Sequence, residues 1–249
     1  MRHLATLILI TSFSHHVFCQ DLPNLEDSVL IFHDITFPFY RTSVDSNCAE
    51  ELFYDDGSVK ATGSCENGKK SGTWTSFYKS GDTMSSGTMF NDSLVGEWCF
   101  YFPNGRLRAK GSFEGGTFEL GCAGSGNYIS VSIKSGNWQY WSLSGSKILT
   151  CNYVKNEYGE QSLNGRYTKW YDSGQKLEEG SYKNGMKNGK WTYWYVNGQK
   201  QREEYFVYQD CLLYDYVWYE CPTGEWKYWN EDGTIDKVEK YKNGIKTLN

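Results

Sequence analysis

The sequence lacks several features on which common protein classes depend. Leucine and alanine are scarce, and no apolar stripe with the spacing i, i+3, i+4, i+7 is sustained, so helices have little from which to form. No stripe of lysine and arginine interrupts a chain of net charge −5, which argues against nucleic-acid binding because phosphates need clustered cations. Beyond the N-terminal segment His33 is the one histidine, which leaves little for acid–base or nucleophilic catalysis.

The N-terminus has the pattern of an export signal. Arg2 and His3 precede an apolar run, Leu4 to Phe13, that is much shorter than the ~20 residues needed to span a bilayer. We expect a signal peptide over residues 1–19, cleaved after Cys19. The mature protein is then secreted or periplasmic, in or near the cell envelope, with no transmembrane segment left.

Glycines that follow Asp, Asn or Ser recur along the rest of the chain. The basic step is 24 residues, as from Gly57 to Gly81, and longer steps hold insertions. An Asn/Asp/Ser-Gly pair between β-prone runs fits a two-residue type I′ turn, because glycine supplies a positive φ without a Cβ clash. The predicted hairpin glycines are Gly57, Gly81, Gly105, Gly145, Gly174, Gly198 and Gly233.

Most of these glycines follow a Gly-x-Trp motif with a further large aromatic residue three positions after the tryptophan. Since residues three apart on a strand face opposite sides, both faces of the sheet carry a row of rings. One row is headed by Trp74 and Trp98, and the other by Phe77 and Tyr101. Only one of the two rows needs to be core.

These patterns predict an all-β protein. A single hairpin is marginally stable in water, so the copies must stack. We predict an elongated, twisted antiparallel meander of about seven stacked β-hairpin repeats over residues 48–249, with capping strands over 20–47. Insertions fall near 112–135 and 204–222; the first is Gly/Ser-rich without a P-loop motif and is expected to be a flexible connection with a short strand over 128–133.

The motif GxWxxY(F/Y)xxGxxxxxGxY with KNGxxxG resembles the MORN repeat in its bacterial variant, which also occurs in the group labelled YwqK-type antitoxins. It is clearest over Gly165 to Gly198, returns in most positions over Gly224 to Gly244, and extends overall from about Cys48 to Lys246. The resemblance implies a stacked hairpin fold and an interaction scaffold, which is membrane-associated in some eukaryotic proteins. The export signal, the cysteines and the insertions depart from the family pattern.

Seven cysteines remain after the signal, and no CxxC spacing points to zinc or redox chemistry. Export makes disulfides the first interpretation, whereas residence in the cytoplasm would leave thiols. Cys48 and Cys65 lie nearly opposite each other across the hairpin at Gly57, and Cys211 and Cys221 bracket an aromatic loop, so we expect both pairs to be disulfides. A third bridge is expected between two of Cys99, Cys122 and Cys151.

The insertion over 204–222 is the best candidate for a binding site. Rings with a polar tip bury a large area with few rotamers to freeze, as binding surfaces favour. The alternative is that alternate rings simply extend the sheet. The candidate binding residues are Tyr205, Tyr208, Tyr214, Tyr216, Trp218 and Tyr219.

Neighbouring acidic residues, such as Glu203 and Glu204, do not indicate a glycosidase, because neighbours on one strand point to opposite faces and are ordinarily solvated charges. We therefore predict no catalytic, cofactor or metal site. The predicted function is a non-catalytic exported scaffold that holds another protein through an aromatic sheet face and the 204–222 loop. Two alternatives stay open: carbohydrate or cell-envelope surface binding, and an antitoxin or immunity-type role that neutralises a partner.

Peptide mapping of the unreduced mature protein tests the cysteine pairing. We expect linked peptides that contain Cys48 with Cys65 and Cys211 with Cys221, and both should separate on reduction. Alkylation before digestion prevents exchange between thiols and disulfides during the experiment. Recovery of Cys211 and Cys221 as two alkylated thiols would contradict the prediction.

Overall fold

The computed structural model describes residues 50–119, 128–156, 159–210 and 218–247. Within these ranges the chain forms one sheet of eighteen strands and no helix, so the all-β prediction is confirmed. The predicted signal peptide and the capping strands over 20–47 lie outside the described residues. In chain order the strands are β1 Glu51–Phe53, β2 Val59–Glu66, β3 Lys69–Phe77, β4 Thr83–Phe90, β5 Ser93–Tyr101, β6 Leu107–Glu119, β7 Tyr128–Trp141, β8 Lys147–Lys155, β9 Gln161–Leu163, β10 Gly165–Trp170, β11 Lys176–Lys183, β12 Met186–Lys187, β13 Gly189–Trp194, β14 Lys200–Asp210, β15 Trp218–Pro222, β16 Gly224–Trp229, β17 Ile235–Lys242 and β18 Ile245–Thr247.

The sheet is an antiparallel meander in which successive strands pair along the chain. Where a strand is interrupted, both pieces pair with the same earlier strand, as β12 and β13 do with β11. The interruption falls at Gly189, whose φ of +82° bends the strand. Residues before the bend pack onto rings after it, since the Lys187 ammonium lies 5.0 Å from the centroid of the Trp191 ring.

The predicted hairpin glycines all lie in tight turns, but the predicted turn type is wrong there. At Gly57 the amide donates to the Tyr54 carbonyl at 2.9 Å, and Gly57 has a positive φ while Asp56 does not. That pattern fits a three-residue loop with a type I turn followed by a glycine bulge. The Asp56 carboxylate accepts from the Ser58 amide at 3.1 Å, so Asp, Asn and Ser are favoured before glycine as side-chain acceptors rather than for a positive φ.

The second turn has the predicted type I′ geometry in several repeats. Asn184 and Gly185 have φ values of +49° and +82°, and Asn67 with Gly68 and Asn243 with Gly244 are alike. A type I′ turn needs a positive φ at both central residues, which asparagine and glycine tolerate best. The two edges of the meander therefore use two different turns.

The core consists of tryptophans that lie flat against glycines on the neighbouring strand. A Cβ added at Gly87 would come within 2.2 Å of the Trp98 ring, whose side chain is fully buried. The Trp98 indole N–H donates to the Thr88 carbonyl at 2.9 Å, which satisfies its only polar atom. The same contact recurs in four pairs: Gly63 with Trp74, Gly87 with Trp98, Gly111 with Trp138 and Gly180 with Trp191.

Two substituted positions show that the ring and the glycine are matched. Cys151 takes the glycine position on the strand that faces β10, and the ring there is the smaller Tyr167 instead of tryptophan. Glu204 takes the glycine position facing β16, and Trp226 is only half-buried there although its indole still donates to a backbone carbonyl. Where a side chain replaces the glycine, the aromatic residue that packs there is therefore either smaller or less buried.

Tyrosine hydroxyls connect one hairpin to the next. The Tyr54 hydroxyl donates to the carbonyl of Phe77, which lies in the following repeat, at 2.7 Å. Three further tyrosines make the same bond: Tyr78 to Tyr101, Tyr171 to Trp194, and Tyr195 to Trp229. The equivalent positions Phe102 and Ser142 hold no tyrosine.

Both insertions are largely hairpin extensions. Strands β6 and β7 stay paired out to Glu119 and Tyr128, so the expected strand over 128–133 is confirmed. The other paired residues of this insertion were expected to form a flexible connection, and that expectation is wrong. Alternating β-branched residues in β7, such as Val131 and Ile133, favour an extended ladder despite the glycines opposite them. Strands β14 and β15 pair out to Asp210 and Trp218, so the described part of the second insertion also extends the sheet.

Replacement of Gly87 by alanine tests the contact with Trp98. The added methyl group must push the buried ring away, and we expect a loss of roughly 3 kcal/mol in the free energy of unfolding, measured by urea denaturation. The neighbouring Ser86→Ala, on the opposite face, should cost under about 1 kcal/mol. Combining Gly87→Ala with Trp98→Tyr should give less than the sum of the two losses, and strict additivity would contradict the matched packing.

Candidate binding face

The buried tryptophans identify which face of the sheet is core. Trp74, Trp98, Trp138 and Trp191 are all fully buried, so their row is unavailable to a ligand. We call the opposite face, which carries Phe77, Tyr101 and their equivalents, the outer face. The outer face is the one on which a partner can be bound.

The outer face carries one half-buried ring per hairpin, and lysine stems cover part of several of them. The Lys176 ammonium lies 5.5 Å from the centroid of the Trp194 ring, and that of Lys200 lies 5.8 Å from the Trp229 ring. Such contacts are weakly favourable at exposed sites and can give way to a ligand. The row consists of Phe77, Tyr101, Trp141, Trp170, Trp194 and Trp229.

Charged residues alternate beside these rings in the second half of the sheet. Strand pairing puts Arg166 of β10 opposite Ser181 of β11, and the next strand in line, β13, brings Lys190. In a second line across the same strands, threonines and charged residues follow one another: Thr168, Glu179, Thr192, Glu203 and Lys227. Cations and carboxylates thus form a grid around the outer rings.

Glu203 is the centre of this grid. One of its carboxylate oxygens accepts from the Lys190 ammonium at 2.8 Å and from the Lys200 ammonium at 2.6 Å. Burial alone would raise the pKa of Glu203, but the hydrogen bonds and charges of the two lysines outweigh it and hold the pKa below its ordinary value. The carboxylate is therefore ionised at neutral pH and keeps both lysines in position.

A shallow groove runs along this part of the outer face. Its larger section has a volume of about 450 Å³ and is lined by Arg166, Lys190, Trp194, Lys200 and Glu203 among others. A smaller section of about 260 Å³ continues past Glu203 to β16, where Tyr205, Glu225 and Lys227 line it. Because the lining residues come from β10, β11, β13, β14 and β16, the groove crosses the strands instead of following one.

The aromatic residues predicted as a site are not brought together by the described structure. Tyr205 lies on the outer face and lines the smaller section of the groove. Tyr208 lies three residues further along β14 and so faces the other way, where its hydroxyl accepts from the Asn184 amide at 3.3 Å. Trp218 and Tyr219 lie in β15, but Tyr214 and Tyr216 lie outside the described residues. The predicted site as a whole therefore stays a prediction.

The cysteine predictions have mixed outcomes. Cys65 and Cys221 are not free thiols, while their predicted partners lie outside the described residues, so the pairing stays a prediction. The third bridge is wrong, because Cys99 and Cys151 are both free and any pair among the three candidates needs one of them. Cys99 faces the outer side of β5, whereas Cys151 is buried in the core three strands away, too far for a disulfide.

The expectation that neighbouring acidic residues are solvated is wrong for Glu203 and Glu204. Both side chains are buried, one on each face of β14. Glu204 accepts from the Arg202 guanidinium at 2.9 Å, and Arg202 in turn lies 3.7 Å from the centroid of the Tyr193 ring. Each carboxylate has its own cation, so the pair does not form a catalytic dyad.

Buried lysines are a feature that sequence reasoning missed. The Lys134 ammonium lies 4.6 Å from the centroid of the Trp138 ring and donates to the Tyr140 hydroxyl at 3.1 Å. Burial lowers the pKa of Lys134 to about 8. The half-buried Lys187 makes the same contacts, with the Trp191 ring and the Tyr193 hydroxyl, to which it donates. The spacing Lys-x-Gly-x-Trp, present at both places, is the signal that identifies them.

In the part of the chain that the structure describes, no group of three or more His, Cys, Asp and Glu side chains is arranged to hold a metal ion. Burial raises the pKa of the Cys151 thiol to about 11, which makes it a poor nucleophile. His33, which the sequence analysis did not assign to catalysis, lies outside the described residues. Across the same ranges, no helix has the length and apolarity needed to cross a membrane.

The fold and its repeated tryptophan contact define a β-hairpin repeat protein. Three of its segments, residues 94–114, 163–184 and 222–243, match the family described as MORN repeat variant, which confirms the resemblance to the MORN repeat at these three repeats. Each match contains a tryptophan- or tyrosine-bearing strand and its return strand. These three segments are thus MORN-variant repeats, which suggests a repeat scaffold.

Comparisons with curated proteins and with solved structures add no information about function. No curated protein matches the chain. Among solved structures, the chain is similar to a porin-like protein from Bacteroides uniformis ATCC 8492, with 9% identity, a TM-score of 0.19 and coverage of 66% of this chain and 87% of that one. A likeness at that TM-score carries no argument about fold or function.

Replacement of Lys134 by methionine tests the buried ammonium. The folded-state pKa of Lys134, about 8, lies below the unfolded value, so the unfolded chain binds more protons between about pH 8 and 10.5 and the contribution to stability rises with pH. The stability advantage of Lys134→Met over the native chain should therefore shrink by about 3 kcal/mol from pH 7 to pH 10.

Urea denaturation at each pH measures this difference, and the other titrating groups cancel because both proteins contain them. The exposed Lys69→Met should show a constant difference from the native chain. A pH-independent difference for Lys134→Met would show that the ammonium is not desolvated.

Proposed function

We propose that this protein is a non-catalytic repeat scaffold that binds a partner protein through its outer face between β10 and β16. The observation that carries the proposal is the groove around Glu203, which crosses five strands and combines cations, a carboxylate and half-buried rings. Interfaces favour such mixtures, because aromatic rings supply contact area and charged groups supply specificity.

The groove also distinguishes the outer face from the core face chemically. The core face is filled by rings that pack on glycines and has no room for a ligand. On the outer face, the lysines of the groove reach into solvent while the carboxylate that holds them is nearly covered, at 45% exposure for the Lys190 side chain against 11% for that of Glu203. The cations are therefore positioned in advance, which lowers the entropic cost of binding.

The second insertion contributes to the same surface in this proposal. Tyr205 lines the groove and stands at the base of the arm formed by β14 and β15, where the two strands begin to pair. The aromatic residues further along the arm would then extend the contact with the partner. The export signal predicted over residues 1–19 supports an interaction outside the cytoplasm, in the cell envelope or beyond it.

Binding of a cell-surface glycan is the second candidate. The observation that favours it is the row of outer-face rings, one per hairpin, against which sugar rings can stack. Neutralisation of a partner, as in an antitoxin or immunity protein, is a special case of protein binding and rests on the family resemblance alone. Protein binding is preferred because paired charges, and not bare ring faces, dominate the groove.

Site-specific photo-cross-linking tests the proposed face. Glu225 and Glu97 occupy the same position of Gly-Glu-Trp in two hairpins, both are exposed and each pairs with one lysine, but only Glu225 lines the groove. A photo-reactive residue at position 225 should join the protein to a discrete partner in its native host, and one at position 97 should not.

A second variant makes the result specific. Arg166→Ala with Lys190→Ala, in the chain that carries the photo-reactive residue at 225, should reduce the cross-linked product about tenfold, because each cation contributes about 0.7 kcal/mol to binding. Equal products from positions 225 and 97 would contradict the proposed face.

A further inference from the structure

The outer face repeats part of its chemistry in two successive hairpins. Arg166 of β10 and Lys190 of β13 stand in the same line with one strand between them, as do the rings of Trp170 and Trp194. Neighbouring strands lie about 4.8 Å apart, so these equivalent positions are separated by about 9.6 Å across the strands. A ligand that crosses β10 and β13 therefore meets two cations at this separation, whereas the equivalent position on β16 is Glu225.

A polyproline II segment has nearly the same step. It rises about 3.1 Å per residue with three residues per turn, so every third residue faces the same side at intervals of about 9.3 Å. In an extended β-strand, side chains on one side recur at about 6.7 Å and soon lose register with the hairpins. Polyproline II peptides are also the ligands that aromatic-lined grooves commonly bind, since they are already stiff before binding.

The charges of the groove favour an acidic ligand. Arg166 is exposed and makes no hydrogen bond or ion pair with any other residue that the structure describes. Lys190 and Lys200 share a single oxygen of Glu203, and Glu179, the other carboxylate of the larger section, accepts from Lys176 at 2.7 Å, so that with Arg166 four cations surround two carboxylates. This local excess of positive charge stands out in a chain of net charge −5. A carboxylate placed between Arg166 and Lys190 would complete the pairing.

Taking the proposed function as its basis, we infer that the larger section of the groove binds a polyproline II segment of the partner protein that carries two Asp or Glu residues three positions apart and runs across β10 and β13. These two acidic residues pair with Arg166 and Lys190, and the segment ends before β16, where Glu225 occupies the equivalent position and pairs with Lys227. The prolines between them pack against Trp194. Glu203 does not touch the ligand but keeps Lys190 and Lys200 in place, so it is a positioning residue.

Synthetic peptides test the spacing. The probe is five copies of Glu-Pro-Pro, measured by titration calorimetry against the full mature chain at low salt. A peptide of the same composition with its glutamates clustered in adjacent pairs that are separated by four prolines keeps the charge and the proline content, but no two of its glutamates are three residues apart. We expect the periodic peptide to bind about tenfold more tightly than the clustered one. Equal affinity for the two would overturn the inference.

Variants locate the site. Arg166→Ala with Lys190→Ala should weaken binding of the periodic peptide about tenfold, whereas Lys69→Ala with Lys242→Ala, which removes the same charge from exposed positions outside the groove, should not. Glu203→Gln should weaken binding of the periodic peptide and reduce the difference in affinity between the periodic and the clustered peptide. An unchanged melting temperature of this variant shows that the effect is not loss of folding. An effect of the control pair as large as that of the groove pair would mean non-specific charge attraction and would overturn the inference.

The ligand class is decided by a parallel titration with polygalacturonate. Binding of this acidic glycan but not of the periodic peptide would overturn the inference in favour of a carbohydrate ligand. If neither binds, but cross-linking from position 225 still depends on Arg166 and Lys190, the inference fails while the proposed protein-binding function stands. If that cross-linking is lost as well, both fail.

Discussion

A tryptophan ring lying on the bare backbone of a glycine is the contact on which this sheet depends. The strands that the structure describes form a single sheet, and within it the rings are covered by neighbouring strands. Each glycine supplies the space into which the ring of the next strand fits, and the indole N–H is bonded to the carbonyl of the residue after that glycine. The full burial of Trp74, Trp98, Trp138 and Trp191 in a one-layer fold follows from this fit.

The tryptophan–glycine packing constrains the two faces of the sheet differently. The core face is constrained at every position, because a side chain in place of glycine forces a smaller or less buried ring, as Cys151 and Glu204 do. The outer face has no such constraint, so its residues can vary from hairpin to hairpin without disturbing the packing beneath. The accumulation of cations around Glu203 in the second half, with mostly hydroxyl side chains in the equivalent line of the first half, shows this freedom in use.

Much of the fold is readable from the sequence, and the misreadings have identifiable causes. The positions of the turns at Gly57 through Gly233 follow from the Asp/Asn/Ser-Gly pairs, yet the same pairs serve two turn types that depend on loop length, which composition does not reveal. The binding face was harder to predict, because Glu203 and Glu204 look like solvated neighbours until strand pairing brings Lys190 and Arg202 beside them. The free state of Cys99 and Cys151 likewise depends on which face each side chain occupies.

The junction between β8 and β10 lacks two of the contacts found elsewhere. Its ring is Tyr167 on Cys151 instead of tryptophan on glycine, and the preceding turn offers Ser142 where four other repeats have a tyrosine hydroxyl. The Ser142 and Ser144 hydroxyls donate instead to the exposed carboxylate of Asp172 in the next hairpin. Stability in repeat proteins is close to a sum of nearest-neighbour terms, so a weak interface separates cooperative blocks. Hairpins on the far side of the β8–β10 junction can therefore unfold, or be gained and lost over evolution, without unfolding the hairpins that carry the groove.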